Sequence, residues 1–310
     1  MTTPIVSAMC SDIGDGRIQQ DRALISPDGT RAVLCDGHGL YGHDYADVVC
    51  NFLMSIKNDD TIHRLFSRTS THVKETMGDK HGGTCCSYVS FDAERNMTVA
   101  NLGDSSVHYW DTFGSGISVS KDHSPTRLHE FQRIRNAGGE CVFDDQRGRY
   151  PKGSQPVYLQ EDFFLSFNAA GGNYHKNCRN EWAAYFQTPL TAKDEEAAIL
   201  FGTPAEQHRL AVTRAFGDWP LVPYGLISEP SVQVVRPPTQ NTVRAVVIAS
   251  DGLWDGLQDV EIGAIVRRKE FLENRNAYGA AQALVSAGLV AGRRMFGENQ
   301  DNTTVIVLYL

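Results

Sequence analysis

The sequence predicts an α+β layered sandwich, on three observations. Short runs rich in β-branched and aromatic residues recur along the 310 residues. Several are joined by turns too short for a parallel crossover, and amphipathic helical segments cluster in pairs between groups of strands. A doubly wound parallel sheet would alternate strand and helix throughout.

The elements follow in chain order. Residues 31–35, "RAVLC", read as a strand. A helix over 44–57 follows, with Tyr45, Val49, Phe52, Leu53 and Ile56 on one face at i, i+4, i+7, i+8 and i+11. A second helix covers 61–77, then come strands at 84–91, 97–103 and 106–110. The short link between the last two predicts antiparallel pairing, with residues 101–105 as a hairpin tip. In "DHSPTRLHEFQRIRNAGG", Ser124 suits a cap, Pro125 the first turn and Gly138 the stop of a third helix. Residues 143–208 are rich in Gly, Asn, Gln and charges, with one short helix at 193–200 and no clear strand, so they read as a surface insertion. Strands at 231–235 and 242–250, helices at 259–271 and 277–294, and a last strand at 303–310 complete a single domain spanning 1–310.

Composition narrows the function. With 41% hydrophobic residues, the chain can bury a large core. Its start lacks a basic n-region and a long apolar stretch, residue 2 is Thr2 rather than glycine, and no apolar run approaches the roughly 20 residues that cross a bilayer. A soluble cytoplasmic or nuclear protein is expected, with no membrane partner and, by default, a monomeric state. The seven cysteines form no C-x-x-C pair, which fits reduced buried thiols better than disulfides or a zinc site. A net charge of −8 argues against nucleic acid as a partner.

Three places share one pattern, an aspartate at the tip of an apolar strand: "AVLCDGHG" at Asp36, "AVVIASDGLWD" at Asp251, and "DNTTVIVLYL", where Asp301 precedes its strand. Each alone is an ordinary turn former. Together, tips of one sandwich can converge on one edge, and packed carboxylates stay ionised there only beside cations. Oxygen ligands without a Cys/His cluster favour hard ions, Mg2+ or Mn2+. Gly37 leaves its backbone carbonyl open to close approach by an ion. Two such ions about 3.5–4 Å apart are a known device for attacking phosphoesters.

The ordered set "DGHG" (36–39), "GGT" (82–84), "VANLGDSS" (99–106), "DHSP" with "RIRNAGG" (122–139), "LAVTRAFGD" (210–218), "ISEPSV" (227–232), "ASDGLWD" (249–255) and "DNTTVIV" (301–307) resembles the metal-dependent serine/threonine protein phosphatases of type 2C, the PPM family. The resemblance spans essentially the whole chain. It implies a four-layer α-β-β-α sandwich of two antiparallel sheets flanked by helix pairs, with a binuclear Mg2+/Mn2+ centre at one end. Phosphorylated proteins would be the substrates, hydrolysed by direct attack of a water that the centre activates. By motif, Asp36 would bridge both ions, the Gly37 carbonyl would bind one, and Asp251 and Asp301 the other. Asp21 matches the N-terminal acidic ligand, and Asp104 and Asp255 match positions that hold a third ion in some members. For these two, a hairpin tip and a helix N-cap are equally good readings. His38 would lie beside the activated water as general acid for the leaving oxygen. Arg17 is the expected phosphate clamp, since a guanidinium presents a planar fork to two oxygens.

The pattern departs from the family in places. Gln20 stands before Asp21 where an acidic pair is usual, and brings no charge, although its amide could still hydrogen-bond a water in the centre. The spacing from Arg17 to Asp21 is one residue shorter than is common, and the segment 219–226 is short where a flap is often longer. An active phosphoprotein phosphatase, a catalytically inert scaffold of the same fold, and a small-molecule phosphoesterase all remain compatible with these residues.

Overall fold

The computed structural model describes residues 4–56, 61–111, 116–143, 157–158, 160, 184–189, 208–236, 245–298 and 300–310. They fall into two compact units: Met1–Asp122 with Arg214–Gly217 and Ser228–Leu310, and His123–Thr213 with Asp218–Ile227.

The strands in chain order are β1 (Val6–Asp12), β2 (Arg22–Ile25), β3 (Arg31–His38), β4 (Gly83–Phe91), β5 (Met97–Leu102), β6 (Ser106–Trp110), β7 (Ile117–Ser118), β8 (Glu140–Phe143), β9 (Val157–Tyr158), β10 (Ala184–Gln187), β11 (Arg209–Leu210), β12 (Phe216–Gly217), β13 (Ser231–Val235), β14 (Ala245–Ala249) and β15 (Thr303–Tyr309). The described helices are α1 (Gly42–Ser55), α2 (Ile62–Met77), α3 (Leu128–Asn136), α4 (Asp251–Trp254), α5 (Asp259–Val266), α6 (Lys269–Leu272) and α7 (Ala277–Phe296), with a 3-10 turn at Trp219–Tyr224.

In the first unit, one sheet runs β1-β15-β14-β6-β7 and the other β13-β5-β4-β3-β2, with β12 paired to β4. All their pairings are antiparallel. Period-two alternation sorts the side chains between layers. From β14 and β15, Val246, Ile248, Ile306 and Leu308 meet Leu34, Val89, Phe91 and Val99 of the other sheet in an inter-sheet core. Their neighbours Val247, Ala249, Val305, Val307 and Tyr309 face outward, onto Leu253, Trp254, Ile262, Leu284 and Val285 of α4, α5 and α7. On the far side α1 packs on β3 and β2, with α2 against α1. This is the expected α-β-β-α sandwich, built from strands that are apolar on both faces because both faces are covered.

The second unit holds α3 and a small antiparallel sheet, β11-β10-β8-β9. Its polar interior is fully paired at one point. Glu130 accepts from Thr213 Oγ1 at 2.6 Å and from Arg133 at 2.7 Å, and the same guanidinium donates to the Gly225 carbonyl at 2.9 Å.

Several sequence expectations need correction. The link at 101–105 is no hairpin: β5 and β6 belong to different sheets, and the chain crosses between them at Gly103 (φ +103°). Both edges of each strand are already taken, by β4 and β13 for β5 and by β14 and β7 for β6, so the two cannot pair. α3 starts at Leu128, and Ser124 spends its hydroxyl on Thr126 in a preceding turn rather than on a cap. The helix expected at 259–271 is two, α5 and α6. The sequence pattern does not announce β1, β2 or β7: β1 and β2 are only partly buried, and β7 is two exposed residues. Of the segment 143–208, the strands β9 and β10 are described and pair with β8, where no strand was expected; the helix at 193–200 lies outside the described residues.

Candidate metal centre

The antiparallel order brings one set of strand ends together. β3 ends in Asp36, Gly37 and His38; Asp21 immediately precedes β2; Asp104 sits in the crossing from β5 to β6; Asp251 follows β14 as the first residue of α4; and Asp301 precedes β15. Asp255 closes α4, its N–H donating to the Asp251 carbonyl at 2.7 Å, so it is a C-terminal cap and not an N-cap.

These carboxylates converge. One oxygen from each of Asp36, Asp104 and Asp251 lies within 4.8 Å of the others. Burial drives the Asp36 carboxyl far above the usual carboxylate range, and the charges of Asp21, Asp251, Asp301 and Asp104 push it further. Burial and Asp255 likewise raise Asp104, while Cys85 and His38 pull it down. His38 is thus electrostatically coupled to Asp104, a pairing that no spacing in the sequence announced.

Asp21 is 3% exposed. Its Oδ2 accepts from Ser250 Oγ at 2.7 Å, but Oδ1 is buried with no hydrogen-bond partner. Burial lifts Asp21 to about 6, against hydrogen bonds from Ser250 and Thr304 that favour its ionised form and with Asp301 adding repulsion. A buried orphan oxygen costs on the order of 1–3 kcal/mol. Here it faces a cluster of like charges, which a cation would relieve. The backbone agrees. A Cβ on Gly37 would fall 2.2 Å from the Gly42 carbonyl oxygen, so the turn from β3 into α1 closes only over glycine. An all-oxygen donor set of this charge fits hard divalent cations.

Residues outside the predicted set hold this geometry. Asn302 binds both neighbouring loops: its Oδ1 accepts from Gln20 N at 2.8 Å and its Nδ2 donates to the Ile13 carbonyl at 2.8 Å. Thr84 Oγ1 donates to the Asp36 carbonyl at 2.9 Å. Ser250 exchanges hydrogen bonds with Thr304 as well as holding Asp21. Gln20 donates through Nε2 to the Gly39 carbonyl at 2.7 Å, so its amide clasps the "DGHG" turn. Arg17 lies exposed in the loop between β1 and β2, and among the described contacts it makes none with the carboxylates. No described helix is long and apolar enough to cross a membrane.

Comparison with known proteins bears on the family and the fold. The family model "Protein phosphatase 2C" matches residues 43–149 and 191–294. Asp104, Asp251 and Asp255 fall inside those stretches; Asp21, Asp36, His38 and Asp301 fall outside. "Probable protein phosphatase 2C 11" of Arabidopsis thaliana is 29% identical over 284 residues, covering 88% of this chain and 56% of its own length. The chain thus spans little more than half of that relative. Among solved structures, a serine-threonine phosphatase 2C from Toxoplasma gondii superposes with a TM-score of 0.67 at 20% identity, covering 99% of this chain and 95% of its own. The catalytic domain of the serine threonine protein phosphatase PstP, described in complex with two manganese ions, gives 0.55 at 16% identity, covering 98% and 97%. With the family model matched over more than half of its residues, this chain belongs to the protein phosphatase 2C family.

Proposed function

We propose that the chain hydrolyses phosphoserine and phosphothreonine in proteins, with two Mg2+ or Mn2+ ions held by Asp21, Asp36, the Gly37 carbonyl, Asp251 and Asp301, and a third ion at Asp104 and Asp255. The observation that carries this reading is the meeting of Asp36, Asp104 and Asp251 within 4.8 Å, next to the unpartnered Asp21 oxygen. Membership in the family and the manganese described for PstP support it.

When bound, such ions neutralise the carboxylates, polarise phosphoryl oxygens and acidify a water. The chain's own residues do the rest. The strand ends fix the carboxylates on rigid elements, which keeps the site preorganised. His38, the last residue of β3, would carry a proton to the departing seryl or threonyl oxygen, a poor leaving group as an alkoxide. Arg17, on its exposed loop, would draw the phosphate in through a two-pronged contact. Its freedom from the carboxylates suits a group whose partner is the substrate. The substrate would come from soluble phosphoproteins of the cytoplasm or nucleus, met by a monomer.

The test is turnover of p-nitrophenyl phosphate with and without Mn2+, beside Asp36→Ala and Asp251→Ala. Manganese-dependent activity lost in both variants is expected. Wild-type protein no faster than either variant would instead favour an inert scaffold.

A further inference from the structure

Three large apolar side chains are exposed on the β1–β2 loop and the β3–α1 turn, beside Arg17 and His38: Ile13 at 39%, Ile18 at 50% and Leu40 at 67%. A single exposed apolar residue is ordinary. Here, hydrogen bonds tie the segments that carry them into one rim. The Asn302 side chain donates to the Ile13 carbonyl at 2.8 Å and accepts from the Gln20 N–H at 2.8 Å. Gly16 N donates to the same Ile13 carbonyl at 3.2 Å, which folds the loop back. Two residues beyond Ile18, Gln20 Nε2 donates to the Gly39 carbonyl at 2.7 Å, next to Leu40. The turn under Leu40 is itself pinned. Tyr41 N donates to the His81 carbonyl at 3.1 Å, and a Cβ on Gly39 would fall 2.8 Å from Gly82 Cα. The apolar side chains therefore stand on a fixed edge, with Ile18 following Arg17 and Leu40 two residues from His38.

Leu40 adds nothing to the core, and the close approach of the turn is supplied by Gly37, Gly39 and Gly42 rather than by its side chain. A substrate held at the centre by its phosphate would cover it. In an extended chain, residues two places either side of the phosphorylated one project to the same face, about 7 Å along the strand. With the phosphoryl group at the carboxylates, those residues reach the rim. We propose that Ile18 and Leu40, extended by Ile13, form an apolar lip that selects phosphoprotein segments with an aliphatic or aromatic residue two positions from the phosphoserine or phosphothreonine. The inference rests on the reading of the centre as a phosphatase site and adds which sequences that site prefers. An apolar residue laid on the lip removes apolar surface from water on both partners, whereas a small residue leaves the lip wet.

The test uses the full chain, Leu40→Ser and Ile18→Ser, each with Mn2+, on p-nitrophenyl phosphate and on two phosphothreonine peptides. One peptide carries leucine two positions to either side of the phosphothreonine, the other alanine. The wild type is expected to favour the leucine peptide by about tenfold in kcat/KM, and either substitution should cut that preference to about threefold or less. The ratio of the two peptides on one protein cancels any change in the amount of active enzyme. Equal turnover of the two peptides by the wild type, or a preference that survives both substitutions, overturns the lip and leaves the phosphatase reading in place. Turnover of p-nitrophenyl phosphate without either peptide overturns the lip as well. No Mn2+-dependent turnover of any of the three overturns the phosphatase reading, and the lip with it.

Discussion

At the scale of single residues, the centre is a place where ordinary rules of burial are broken in one direction. Asp36, Asp21 and Asp104 sit where low polarity and neighbouring charge both oppose ionisation, a repulsion that a bound proton or a cation relieves. His38 is the residue whose role can be isolated. His38→Ala should lose about 10²-fold or more in kcat on phosphothreonine peptides, and much less on p-nitrophenyl phosphate, whose phenolate leaves without a proton. Equal losses on the two substrates would remove His38 from the acid role. Ser250 and Asn302 act differently. They position Asp21 and the loops around it.

At the scale of elements, strand ends place the carboxylates, and helix termini keep those ends still. α5 carries a complete capping box. Gln258 accepts from the backbone three residues on, and Glu261 Oε2 accepts from the Gln258 N–H at 2.8 Å. Glu261→Ala should cost about 1 kcal/mol and lower Tm by roughly 2–4 °C, with Mn2+ affinity unchanged. A calorimetric scan beside a manganese titration checks both halves, and a fall in metal affinity would mean that α5 supports the centre more directly than its position suggests. The change of sheet between β5 and β6 matters more. It carries Asp104 to the rim shared by both sheets, whereas a hairpin would have left that carboxylate at the edge of one.

At the scale of the whole molecule, the packed carboxylates tie stability to pH and metal. In chelator-treated protein, Asp21 has a folded-state pKa of about 6, against about 3.9 unfolded. The folded chain then binds the proton more tightly, so this contribution is complete below about pH 4 and is lost as pH rises through about 6. Asp36 and Asp104 act in the same sense. Tm of the metal-free protein should therefore fall between pH 5 and pH 7, by an amount corresponding to about 1 kcal/mol from Asp21 alone, the tail of a contribution of roughly 3 kcal/mol that begins to be lost near pH 4. Saturating Mn2+ should reverse the trend, since a cation replaces the proton; at 100 times Kd it adds about 2.7 kcal/mol. Thermal scans with EDTA and with Mn2+ across that range decide it. A metal-free Tm that is flat or rising over the range would mean the carboxylates do not repel one another as their packing requires.

The sequence by itself determined the layers and the chemistry. Apolar strands such as 303–309 and 245–249 are covered on both faces whatever their partners, and aspartate at their tips needs only local text to be recognised. The helices α1, α2 and α7 were legible for the same reason, since a repeat of 3.6 is local information. Only the tertiary structure decided which ends meet. Strand pairing depends on edges being free, so the text between β5 and β6 looked like a hairpin until other strands had claimed both. The electrostatic coupling of His38 to Asp104, the hold of Ser250 on Asp21, and the contact of the Cys85 sulfur with Asp104 join residues 19 to 229 positions apart. Sequence spacing carries no trace of such contacts, because they are made by side chains whose direction is fixed only when both sheets have closed around them.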